Sequence, residues 1–148
     1  MKSEIPCRTL LEEEGYRLEL ELVGGDIGLD NPLRSPRIQK PGLALAGYAD
    51  QIKPYRVQIL GKTELSYLQT LEPQERRGPV QKIFALDVAC FVVTNGQQIP
   101  DYFIEEAQVS GTPLFVTPLR SSLFIERIER ALAQRLARST HLHGVLVD

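Results

Sequence analysis

The chain has no apolar run near the roughly 18 residues that a membrane-spanning helix needs. Its first residues, MKSEIPCRTLLEEEG, are acidic and lack the apolar centre of a signal peptide. No membrane association and no export leader are therefore expected. Excess positive charge is missing too. Seventeen Lys and Arg stand against 19 Asp and Glu, a net charge of −2. Phosphate attraction cannot then drive nucleic-acid binding. Cysteine is scarce, with only Cys7 and Cys90, far apart. Cys90 lies in an apolar stretch, where a reduced core thiol is usual. Two cysteines without an export signal point to a reducing cytoplasm. Histidine is as scarce. His141 and His143 would share one face of a strand, but no third His or Cys ligand accompanies them. A metal centre is not expected, and two solvated histidines on a tail explain the pair.

What is present is an ordinary globular composition, 43% hydrophobic and 24% charged over 148 residues. That length suits one domain burying about 70% of its unfolded surface. The organising stretch is Val57 to Leu68, VQILGKTELSYL. Val57–Leu60 reads as a strand covered on both faces. Gly61, Lys62 and Thr63 make a turn, Thr63 can cap, and a helix begins at Glu64. The unit recurs at Ala89–Thr94 with Asn95, Gly96 and a helix near Pro100. It recurs again at Leu114–Thr117 with Arg120, Ser121 and Ser122. Three strand-then-helix units predict an α/β fold, a mostly parallel open sheet of about five strands flanked by helices.

Elsewhere the chain predicts a short helix over Pro6–Glu14 with Gly15 in the left-handed region after it. Arg17–Val23 alternates as a half-exposed strand. Leu33–Gln39 is an edge strand, because Pro36 cannot donate to a ladder. A brief helical segment covers Gly42–Ala46. The helix from Pro73 should break at Gly78-Pro79, with Pro79 opening a second piece. Helices follow over Asp101–Ser110, stopped by Gly111, and over Ser121–Ala137, with Phe124, Ile128, Leu132 and Leu136 inward. The arginines of that last helix read as a solvated face, with Glu126 and Arg130 able to pair. His141 to Val147 reads as a strand just begun.

Gly61-Lys62-Thr63 invites comparison with a phosphate-binding loop, G-x-x-x-x-G-K-[ST]. Arg56 stands where that loop needs its first glycine, and the intervening VQIL is strand, so the wrap cannot form. A weaker anion role survives. In a parallel sheet the loops after the strands share one edge. They would gather Lys62, Thr63, Thr94, Asn95, Arg120, Ser121 and Ser122 into an anion crevice at helix N-termini. The plainer reading is that Thr63 and Ser121 cap their helices. No acid–base pair or activated nucleophile is apparent, so the chain alone is not expected to be an enzyme.

Four blocks, Lys40-PGLALAGY-Ala49, Arg56-VQILGKTELSYL, Gly111-TPLFVTPL-Arg120 and His143-GVLVD, together resemble the N-terminal half of the bacterial HPr serine kinase/phosphorylase family. The resemblance implies residues 1–138 as an N-terminal domain similar to that of Mur ligases, and 139–148 as the start of a kinase domain. It implies a parent enzyme that uses ATP and Mg2+ to phosphorylate a serine of the phosphocarrier HPr and reverses this with phosphate. His143 would be an active-site residue of that kinase domain. The phosphate loop, magnesium ligands and catalytic carboxylate would lie beyond Asp148. The N-terminal domain itself would be non-catalytic and regulatory, needing no cofactor. The alternative is a free-standing sensor holding a small phosphorylated metabolite in the crevice. Oligomeric state stays open, a homo-oligomer included.

Overall fold

A computed structural model describes the backbone of residues 3–147 and the side chains of residues 3–138. Its centre is the run of three parallel strands expected from the apolar stretches. These are β4 (Val57–Leu60), β5 (Cys90–Val93) and β6 (Leu114–Val116). Val57 lies opposite Cys90, and Phe91 opposite Leu114. The fourth strand, β2 (Glu21–Gly24), joins antiparallel beside β6, giving the order β2-β6-β5-β4. A separate antiparallel pair joins β1 (Ile5–Pro6) to β3 (Pro32–Leu33).

Alternation along the buried strands divides the core in two. Val57, Ile59, Cys90, Val92 and Phe115 face α6 (Ser121–Val147), which contributes Phe124, Ile128, Leu132 and Leu136. Leu60, Phe91, Val93 and Leu114 face the other helices. Those are α3 (Lys62–Gln69), α4 (Arg77–Phe84) and α5 (Asp101–Ser110), through Leu65, Leu68, Val80, Ile83, Phe84, Phe103 and Ala107. Each of the Val, Leu, Ile and Phe side chains among them contributes about 1.5–3 kcal/mol by leaving water. Covering both faces is what lets these strands be continuously apolar.

Several expectations are corrected. Among the described residues the sheet has four strands, against the about five expected. Of the expected Leu33–Gln39 edge strand, Leu33 ends β3 and Gln39 makes one parallel bridge to Gln58, with no strand pairing between them. Pro36 lies in the stretch that fails to pair, as its missing donor requires. The helix over Pro6–Glu14 is only one turn, α1 (Thr9–Glu12), because Ile5 and Pro6 pair with β3 instead. Gly15 is not left-handed; Arg17 and Glu19 are, each at φ 52°. Arg127 on α6 donates to the Arg17 carbonyl at 2.8 Å, which holds this turn and delays β2 until Glu21. The helix break near Pro73 falls at Arg76, between a 3-10 turn (Pro73–Glu75) and α4. Pro79 sits in the first turn of α4, where no intrahelical N–H is needed.

Two helices follow the reading closely. A one-turn α2 (Gly42–Leu45) precedes Gly47, and α5 ends at Gly111, left-handed at φ 70°. The helix α6 does more than expected. Its backbone runs to Val147, so the strand reading of His141 to Val147 is corrected. Once nucleated, a helix extends at little cost per residue, and Leu142, Val145 and Leu146 keep helical spacing.

Candidate functional site

The carboxyl ends of β4, β5 and β6 bring three of the expected polar residues together. Thr94 and Ser121 share a hydroxyl–hydroxyl hydrogen bond of 2.6 Å. The Asn95 amide donates to both oxygens, at 3.0 Å to Thr94 and 3.1 Å to Ser121. Asn95 can do so because its backbone is left-handed, φ 66°, and its N–H donates to the Leu119 carbonyl at 2.7 Å. Asparagine tolerates that region better than most residues. Thr94 is wholly buried, so this triad closes the gap between the first turn of α6 and the sheet.

The capping roles are corrected. Thr63 does not cap α3; Gly61 occupies the N-cap, and its N–H donates to the Glu64 carboxylate at 2.7 Å. Ser121 spends its hydroxyl on Thr94 and Asn95, while Phe124 N–H reaches the Arg120 carbonyl at 3.0 Å. Glu64 is the residue the sequence reading missed. It is 3% exposed, and its signal was legible as an acid three positions after an N-cap. Its carboxylate puts a negative charge in the first turn of α3, where the helix dipole favours one.

The cations stand apart from the triad. Lys62 and Thr63 are exposed, and so are Arg120 and Ser122. The Arg120 guanidinium donates to the Ser122 hydroxyl at 3.2 Å. The side chain of His143 lies outside the described residues. The glycine of GKT has a packing duty: a Cβ on Gly61 would stand 2.8 Å from the Ser121 Oγ. Gly61-Lys62-Thr63 is therefore a close helix–strand junction directly after a fully buried strand.

Open space lies at the opposite edge of the sheet, which sequence reasoning did not locate. A cavity of about 430 Å³ opens among Asn31, Tyr55, Asp87, Ala89, Ser110 and Thr112. The ends of α4 and α5 flank it. Asn31 donates to the Ala89 carbonyl at 3.2 Å on its wall. Arg34 lies 3.9 Å above the Tyr55 ring and pairs with Glu4 at 3.0 Å. Among the described residues, no group of three or more His, Cys, Asp or Glu side chains could hold a metal ion. No helix there is long and apolar enough to cross a membrane.

Comparison with known proteins draws these features together. The family described as HPr Serine kinase N terminus matches residues 5–132. The HPr kinase/phosphorylase of Geobacter sulfurreducens is 48% identical over 144 residues. That alignment covers 97% of this chain and 45% of the relative, so the chain spans under half of the relative's length. The buried strand–turn–helix centred on Val57 to Leu68 and the triad at Asn95 both lie inside the matched region. The chain belongs to the HPr serine kinase N-terminal family.

Proposed function

We propose that this chain is the non-catalytic, regulatory N-terminal domain of a bifunctional HPr serine kinase/phosphorylase. The observation that carries the reading is the family match over residues 5–132, joined to coverage of only 45% of the relative. The local structure supports it. Arg56 replaces the first glycine of a phosphate loop, VQIL is a buried strand, and Glu64 fills the N-terminus of α3. On this reading the complete protein acts in the cytoplasm on HPr, using ATP and Mg2+ held outside the described residues. His143 belongs to that catalytic part, residues 139–148 begin it, and residues 1–138 keep a fold akin to that of the Mur ligase N-terminal domain.

Transfer of labelled phosphate from ATP to HPr is the direct measurement. The purified chain is expected to give none above a no-enzyme control, and transfer by it would overturn the non-catalytic assignment. The regulatory role is tested in the complete protein with and without residues 1–138. A changed ratio of kinase to phosphorylase activity supports it; an unchanged ratio rejects it.

A further inference from the structure

Cys7 and Cys90, far apart in the sequence, meet in the same half of the core. Both are free thiols and both are fully buried. The Cys7 Sγ donates to the Ala89 carbonyl at 3.4 Å, one residue before Cys90. That bond places the Cys7 sulfur against the peptide group that joins Ala89 to Cys90. We propose that this pair is a modification site, a dithiol that peroxide converts reversibly to a Cys7–Cys90 disulfide, tying the N-terminal segment to the central sheet.

Access favours Cys7 as the residue oxidised first. The Ala89 carbonyl that takes its thiol also takes the Asn31 amide, and Asn31 and Ala89 both line the 430 Å³ cavity. The residue whose carbonyl takes the Cys7 thiol is thus part of the cavity lining. The backbone of the segment carrying Cys7 is held by the two-residue pair β1–β3, a 3.0 Å bond from Cys7 N–H to the Asn31 carbonyl and a 2.8 Å bond from Arg8 N–H to the Leu29 carbonyl. Segments with few backbone bonds open at low free energy. Cys90 stays inside a central strand. Wholly buried there, it is left as the resolving group that attacks oxidised Cys7.

The chemistry balances with peroxide as oxidant. The Cys7 sulfur, as thiolate, attacks one peroxide oxygen, the O–O bond breaks, and hydroxide leaves to take up the thiol proton as water. Cys7 is then a sulfenic acid. The Cys90 sulfur attacks that sulfur, the S–O bond breaks, and the oxygen departs with the Cys90 proton as a second water. Two thiols lose two electrons in total, and peroxide is reduced to two waters. A small dithiol reverses the bond by exchange. Closing the loop from residue 7 to residue 90 restricts the unfolded chain, so the oxidised form melts higher.

The test treats the purified chain with hydrogen peroxide, then reads intact mass, alkylatable thiols after denaturation, and the melting temperature. The expected result is a monomer lighter by about 2 Da, both thiols lost, and a Tm raised by several degrees. Dithiothreitol restores all three. C7S and C90S each abolish the mass loss. The wild-type mass decides the matter even where a variant folds poorly. An unchanged mass, a gain of about 32 Da at one cysteine, or disulfide-linked dimers would overturn the proposal.

Discussion

Glu64 is nearly excluded from solvent, and its Oε1 satisfies the Gly61 N–H. Removing it strands a buried donor at the start of α3. Glu64→Ala should cost about 1–3 kcal/mol in urea unfolding, while Glu64→Gln, which keeps an acceptor, should cost under about 1 kcal/mol. Equal losses for both would show that charge, not the acceptor, matters there. Gly28 is constrained by space rather than by its dihedral. A Cβ there would lie 1.8 Å from the Gly111 carbonyl oxygen, which is backbone and cannot swing away. Gly28→Ala is expected to cost about 3 kcal/mol or more, with Gly78→Ala as control, since nothing lies within 4 Å of a Cβ at Gly78. A Gly28→Ala protein as stable as the parent would mean that the loop over residues 111–113 shifts freely.

At the scale of elements, α6 does the most to organise the chain. Its inner stripe closes half of the core, and its flank grips the N-terminal segment. Arg135 pairs with Glu13 at 2.7 Å, where the carboxylate side chain is 8% exposed. Gln134 accepts from the Tyr16 hydroxyl at 2.7 Å. Arg130 instead pairs with Glu126 one turn away, as the sequence suggested, with both side chains largely exposed. The arginines therefore differ in weight. Arg135→Met should cost about 1–3 kcal/mol because Glu13 is left buried without its partner. Arg130→Met should cost no more than about 0.5 kcal/mol. Matching values from thermal melts would mean that Glu13 finds water or another donor. Helical spacing announced this stripe correctly. It could not announce which arginines meet the N-terminal turn, because Glu13 and Arg17 come from the other end of the chain.

For the whole molecule, one sheet serves both halves of the core. Val92 packs under α6 while its neighbours Phe91 and Val93 pack under α3, α4 and α5. Neither half can open without exposing the other side of the same strands. Unfolding by heat is therefore expected in a single transition, with calorimetric and van't Hoff enthalpies equal. Two resolved transitions would show that the α6 half melts independently. Amide exchange should be slowest in β4, β5 and β6 and fastest in the two-residue β1–β3 pair.

The sequence by itself determined the three parallel strands, the start of α6, the stop at Gly111 and the failure of the GKT stretch to be a phosphate loop. Each depends on neighbours along the chain: an apolar run, a 3.6-residue stripe, a left-handed glycine, an arginine in place of glycine. Family blocks such as Arg56-VQILGKTELSYL were equally legible, being strings. Tertiary structure decided what distant segments do to one another. It spent Ser121 on Thr94 and Asn95 rather than on a cap, set the Glu64 carboxylate on the Gly61 N–H, and set open space at the other edge of the sheet. It also brought Cys7 into the same half of the core as Cys90, with its thiol on the Ala89 carbonyl. The physical reason is common to all four. Local pattern sets which face of an element is buried, but which polar group meets which is set by how strands register and loops close, and those contacts join residues that the sequence keeps apart.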